Sequence, residues 1–136
     1  MRGVVHHIDL TVRDLAVSAS FYEALLGFLG YERVKKEPDI HVWDLLDGKR
    51  FLGGVAVRSA RSPREHDRYS AGLHHLAFHA GDRADVDRAH ALMKEKGFAI
   101  LDAPAEYPKY GAGYYAMFVA DPDGLKLEVV HFAERA

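Results

Sequence analysis

Residues 4–12, VVHHIDLTV, and residues 72–80, GLHHLAFHA, share one pattern: a histidine pair followed by alternating apolar residues. His7 and His75 stand 68 positions apart, half of the 136-residue chain. Similarity at half the chain length constrains the fold more than composition can, because each half must then build the same supersecondary unit.

The remainder of each half agrees. Asp14 is placed to cap a helix whose apolar face is Val17, Phe21, Leu25 and Phe28, with Gly27 near its end. Asp82 is placed to cap a second helix carrying Val86, Ala89 and Met93 and ending at Gly97, the residue type that closes a helix at least cost. Short strand-like runs follow, YERVKKE, IHVWDLL and FLGGVAV in one half and FAIL, YYAMFVA and LKLEVV in the other, with turns at DGKR and DPDG. The chain therefore reads as two tandem βαβββ modules of α+β class. Module one covers about 1–58, the polar linker about 59–72 and module two about 73–136. A lone module would leave one sheet face open, so the two are expected to be halves of one domain, residues 1–136. At 49% hydrophobic residues such a domain can bury an adequate core.

Composition excludes several functions. The chain has no cysteine, so disulfides and thiolate chemistry are out. Its net charge of −2 mixes both signs throughout, unlike the basic footprint of a nucleic-acid binder. No apolar run approaches a membrane span and no signal peptide is visible, so a cytoplasmic protein is expected.

Strand parity sorts the histidines. Ile8, Leu10 and Val12 share one face and His7, Asp9 and Thr11 the other; in the second copy Leu76, Phe78 and Ala80 oppose His75, Ala77 and His79. The apolar face packs on the helix, leaving the polar face to look into water or a cavity. His6 and His74 fall on the helix-facing side, as edge residues. In LKLEVV, Glu128 sits between apolar residues, where a carboxylate is costly to bury without a partner. His7, His75 and Glu128 thus form a two-histidine, one-carboxylate ligand set with coordination positions left open. His79 is about 13 Å along the strand from His75, too far to share one ion, while Asp9, about 7 Å from His7 on the same face, could orient a ligand or bound water. Each residue also has a plainer reading: a strand histidine as a hydrogen-bonding partner, Glu128 as an exposed residue pairing with a lysine, DPDG as a turn.

Together HHIDLTVRDLAVSASFYEALLGF, HHLAFHA and FVADPDGLKLEVV give the whole chain a resemblance to the vicinal oxygen chelate superfamily. That superfamily includes glyoxalase I, fosfomycin and bleomycin resistance proteins, methylmalonyl-CoA epimerase and extradiol dioxygenases. The resemblance implies a glyoxalase-like fold with a cupped mixed sheet, and it matches His7, His75 and Glu128 to the metal ligands. It also implies one divalent ion per site, with Fe(II), Mn, Ni and Zn all suited to these donors.

The sequence departs from each named branch. The last strand of module one, FLGGVAV, lacks the further Glu or Gln ligand of glyoxalase I and the epimerase, which favours three ligands. Asp9 stands where the fosfomycin enzymes carry a threonine, and Phe118 where the extradiol enzymes carry an acid/base tyrosine. What remains is the shared chemistry, a lyase, isomerase or dioxygenase acting on a small oxygenated substrate chelated by the ion. The alternatives are a metal-free protein that sequesters a drug-like ligand and a thiol transferase of the fosfomycin type.

His79, Asp9 and Tyr110 are the candidates for proton handling. The loop DAPAEYPKYGAGYY carries Glu106, Tyr107, Lys109, Tyr110 and Tyr114 and is read as a lid over the cavity mouth or as a packed surface loop. Tyr107, Lys109, Tyr114 and Phe118 are expected to bind substrate. His41 and Trp43 share a face and are read as further wall residues, with the core as the alternative for Trp43. By the resemblance the protein is expected to be a homodimer in which His7 of one chain joins His75 and Glu128 of the partner subunit. No nucleic-acid or membrane partner is expected.

Overall fold

Strand, helix and three further strands follow one another twice along the chain in the computed structural model, which describes residues 2–133. Met1 and residues 134–136, the outer ends of the two expected modules, lie outside the described residues. The first set is β1 (His7–Val12), α1 (Leu15–Phe28), β2 (Glu32–Lys36), β3 (Ile40–Asp47) and β4 (Arg50–Ser59). The second is β5 (His75–His79), α2 (Arg83–Glu95), β6 (Ala99–Glu106), β7 (Tyr115–Ala120) and β8 (Lys126–His131), with a 3-10 turn at Pro108–Tyr110. Each set forms its own four-stranded mixed sheet, ordered β1-β4-β3-β2 and β5-β8-β7-β6. In each, the first and last strands run parallel and the other neighbours antiparallel. This is the repeated βαβββ, α+β architecture.

The chain divides into two compact units between Glu65 and His66. β4 ends at Ser59 and β5 begins at His75; between them the His66 N–H donates to the Asp123 carbonyl at 3.3 Å, inside the second unit.

Both helices start as their sequences dictate. Asp14 accepts from the Val17 N–H at 3.2 Å and Asp82 from the Asp85 N–H at 2.7 Å, satisfying donors that a helix start leaves orphaned. Val86, Ala89 and Met93 are fully buried, and α2 packs on β6, β7 and β8, beneath Met117, Val119, Leu127 and Val129. In α1 the expected stripe is corrected. The buried residues are Leu15, Ser18, Ala19, Phe21, Tyr22, Leu25 and Leu26, whereas Val17 is half exposed. The stripe is phased from Leu15, and two residues at about 100° each put Val17 on the opposite side. The helix also runs through Gly27, and the positive φ that ends it belongs to Gly30. Among the described residues no helix is long and apolar enough to cross a membrane.

Candidate metal centre

In the second unit, register decides which side chains share the face turned away from α2. His75 pairs with Lys126, Ala77 with Glu128 and His79 with Val130; across β7 Glu128 faces Phe118 and Val130 faces Ala116. Glu128 is 2% exposed, the kind of burial a carboxylate tolerates only with partners. It has two. Its Oε1 stands 3.3 Å from His75 Nε2, and its Oε2 accepts a hydrogen bond from the Tyr114 hydroxyl. Burial, and then that hydrogen bond, push the Tyr114 phenol well above its ordinary pKa, so it is a donor at neutral pH. His75 Nδ1 is 2.8 Å from His74 Nδ1. The donor in that contact depends on the tautomer; His75 donating through Nδ1 is the form that would present Nε2 to an ion, and Nε2–H the form that would pair with Glu128.

Aromatic rings wall this face. Ala116, Phe118 and Val130 form a buried cluster against which Tyr107, Tyr114 and Phe132 pack. The Tyr107 ring meets Phe118 edge-on at 5.5 Å and stacks on Tyr110 at 5.9 Å, and burial raises the Tyr107 pKa. Lys126 Nζ lies 4.4 Å above Phe118, and Lys109 Nζ 5.0 Å above the exposed Tyr110.

The expected loop over 102–115 is in good part strand: β6 continues to Glu106, with Ala105 facing Ala116 and Glu106 facing Tyr115. Pro104, which lacks an N–H to donate, falls at the register irregularity between Asp102 and Ala105. The rest is a tight connection in which the Tyr107 N–H donates to the Tyr114 carbonyl at 2.9 Å. Gly111, at φ +145°, sits so close to Phe132 that a Cβ would come within 2.5 Å of its ring. Glu106 turns outward to an ion pair with Arg83 at 3.0 Å.

The first unit repeats the arrangement. His7 pairs with Gly54 and, beyond it, Asp44; Asp9 pairs with Ala56 and Val42. His7 Nε2 stands 3.7 Å from Asp9 Oδ1, and Asp9 Oδ2 accepts from Arg58 Nε at 2.7 Å. His7 Nδ1 is 2.9 Å from His6 Nδ1, and the His6 ring packs on Phe51 at 4.6 Å. These residues line a cleft of about 400 Å³ that also includes Asp44, Gly54 and Arg58.

His41 and Trp43 are not on this face, which corrects their expected place on the cavity wall. Trp43 faces Val55 and Ile8, and His41 faces Val57 and Leu10, so both lie on the helix-facing side. Trp43 is fully buried and donates through Nε1 to Glu23 Oε2 at 2.6 Å. His41 Nδ1 lies 3.2 Å from an Arg33 guanidinium nitrogen, and burial, then the charges of Arg33 and Lys36, lower its pKa. It borders a separate cleft of about 580 Å³ with Leu15, Ala19, Arg33 and Lys36.

Within either unit, no three His, Cys, Asp or Glu side chains converge among the described residues. What each unit offers is one imidazole Nε2 and one carboxylate oxygen. Donors bonded to one ion at about 2.0–2.2 Å stand about 3.0–3.5 Å apart; the 3.3 Å of His75 and Glu128 falls within that span and the 3.7 Å of His7 and Asp9 lies just beyond it. His79 shares the face of His75 but lies exposed beside Val130, in the row beyond Glu128.

Residues 4–129 match the Glyoxalase/Bleomycin resistance protein/Dioxygenase superfamily. The chain belongs to that superfamily. It is 34% identical over 126 residues to YqjT, an uncharacterised protein of Bacillus subtilis, covering 93% of this chain and 97% of that one. Over 131 residues it is 29% identical to the catechol-2,3-dioxygenase of Bacillus subtilis; that match takes in 96% of this chain but 41% of the dioxygenase. A crystal structure of a Bacillus halodurans protein assigned as a glyoxalase shares 32% identity at a TM-score of 0.77, covering 96% of this chain and 97% of the other. The glyoxalase/bleomycin resistance protein/dioxygenase superfamily contains many enzymes, typically binds a divalent metal and commonly forms dimers.

Four contacts went unread in the sequence. The first members of the histidine pairs, His6 and His74, hold the rings of the second, and the doubling of HH in both halves was the visible signal. Tyr114 holds Glu128, and Arg58 holds Asp9, contacts between residues 14 and 49 positions apart that no local pattern announces.

Proposed function

We propose that the protein is a divalent-metal-dependent enzyme of this superfamily, a cytoplasmic homodimer whose ion is held by His7, His75 and Glu128. On this reading the two modules act as halves of one domain, and His7 of one chain joins His75 and Glu128 of the partner subunit. The observation that carries it is the Glu128 carboxylate, buried, aimed at His75 Nε2 and fixed by Tyr114. A cleft that only sequesters a ligand has no use for a buried carboxylate held against an imidazole nitrogen.

When bound, the ion supplies Lewis acidity and fixed positive charge to paired substrate oxygens. The chain's own groups do the rest. The rings of Tyr107, Phe118 and Tyr114 make an apolar wall that keeps water from the reacting oxygens and orients the substrate's carbon skeleton. Lys126, above Phe118, and Lys109, above Tyr110, offer positive charge to a substrate oxygen. Tyr110 and His79 are exposed on or beside this face and are the groups placed to exchange protons with solvent. The reaction class is lyase, isomerase or dioxygenase chemistry on a small oxygenated substrate.

The test is metal content of full-length protein purified without chelator or affinity-tag histidines. Near-stoichiometric Fe, Mn, Ni or Zn that disappears in folded His75→Ala and Glu128→Ala proteins supports the assignment. Retention of full metal in those variants, or a metal-free wild type that takes up no added ion, removes it.

A further inference from the structure

We infer that Asp9 is a fourth donor to the ion, so that each module contributes one imidazole and one carboxylate. The inference rests on the metal-binding reading above and extends it to a residue on the first strand.

Its basis is a one-for-one match between two half-sites. In the second unit the row below His75 holds Ala77 on β5 and Glu128 on β8. In the first unit the corresponding row below His7 holds Asp9 on β1 and Ala56 on β4. Each row therefore has one carboxylate and one alanine, with the strands exchanged. Because in-register neighbours on parallel strands point to the same face, either strand can deliver a carboxylate to the same place above the sheet.

The surroundings match as well. Each histidine has its Nδ1 within 2.9 Å of the Nδ1 of the histidine before it, leaving Nε2 toward the carboxylate. Each carboxylate has one oxygen committed to an internal donor, Asp9 Oδ2 to Arg58 and Glu128 Oε2 to Tyr114. Each has the other oxygen turned to Nε2, at 3.7 and 3.3 Å. At 3.7 Å, His7 and Asp9 are too far apart for an N–H···O hydrogen bond and interact directly only as an ion pair when the imidazole is protonated. The separation is close to that of two donors on one ion. Ala56 and Gly54, on the neighbouring strand, line the same cleft as His7 and Asp9.

Two imidazoles and two carboxylates neutralise a divalent ion. On an octahedral ion they leave two positions, the number that a substrate with paired oxygens would fill. One other carboxylate competes for this role: Asp44, in the His7 row, whose Oδ1 lies 3.2 Å from where a Cβ on Gly54 would stand.

The experiment is a titration of metal-free protein with Co(II), followed by visible absorption, and with Zn(II), followed by competition with a chromophoric chelator. The set is wild type, Asp9→Asn, Asp9→Ala, Asp44→Ala and Glu128→Ala, with thermal unfolding of each apo protein to establish that it is folded. Asp9 is a surface-accessible strand residue, and Asp9→Asn preserves its shape, so at least that variant keeps the fold testable. As a ligand, Asp9 is expected to cost more than the roughly 10–100-fold that loss of an outer partner costs, and both Asp9 variants to change the Co(II) spectrum. Asp44→Ala should leave affinity and spectrum as in wild type. An Asp9 effect at or below about 100-fold with an unchanged spectrum, or a larger loss in Asp44→Ala than in Asp9→Ala, overturns the inference. In those cases wild type still binds and Glu128→Ala still fails, so the metal reading survives. A wild type that binds neither ion overturns both.

Discussion

Tyr114 donates its phenolic hydrogen to the Glu128 oxygen that His75 does not face. One carboxylate is thereby shared between a donor that fixes its orientation and an imidazole nitrogen 3.3 Å away. The arrangement accounts for a buried, ionisable residue in the middle of a strand whose neighbours Leu127 and Val129 belong to the core.

Tyr114→Phe leaves the ring in place and removes that donor. The variant should remain folded, lose about 1.5–3 kcal/mol of apo stability because the hydrogen bond is to a charged group, and weaken metal binding by about 10–100-fold. Urea unfolding and Zn(II) competition measure the two effects. Unaltered affinity would show that Glu128 needs no second partner.

Sharing of the site between subunits predicts complementation. A His7→Ala chain co-refolded with a Glu128→Ala chain gives heterodimers in which one site carries both defects and the other none. Random pairing restores about a quarter of the sites, read as metal per chain. Absence of recovered binding in a verified heterodimer would place His7 and His75 of the same chain on the ion.

His41 is expected to make the first unit sensitive to mild acid. Burial, and then the charges of Arg33 and Lys36, hold its folded pKa below the ordinary imidazole value. Between about pH 6.5 and the lower folded value the unfolded chain binds the proton and the folded chain does not. The contribution is therefore present above about pH 6.5 and is lost as pH falls through the folded pKa. Fluorescence of Trp43, the single tryptophan, reports unfolding of this unit. Its urea midpoint should fall between about pH 7 and pH 5, and His41→Gln should flatten that fall. An equal slope in both proteins would assign the sensitivity elsewhere.

Gly111→Ala would drive a methyl group into the Phe132 ring at a backbone conformation that disfavours side chains. A loss of about 1–3 kcal/mol is expected, with faster hydrogen exchange at the Tyr107 and Tyr114 amides as the connection opens. Wild-type stability in this variant would mean that the connection is not held down by Phe132.

Much of the site was legible because strand alternation is a property of the chain itself. His7 and Asp9, or His75 and His79, must share a face wherever the strand lies, and Glu128 must oppose Leu127 and Val129. The repeat was legible for a similar reason, since two like sequences fold to two like units. His41 and Trp43 were misplaced because alternation says that two residues share a face without saying which one; pairing with Val57 and Val55 of β4 turned them toward α1. The phase of α1 escaped likewise, since several apolar stripes run along its sequence and packing chose the one through Leu15 and Tyr22.

The sequence by itself determined the two βαβββ units, their helix N-caps and turns, and which residues of a strand share a face, because these follow from periodicity and backbone preference within short stretches. Only the tertiary structure decided what holds each carboxylate. Arg58 reaches Asp9 and Tyr114 reaches Glu128 through register between strands distant in sequence, and the same register put an alanine beside each carboxylate. Such pairings depend on where whole strands settle against one another, a balance of packing over many residues that no local pattern records.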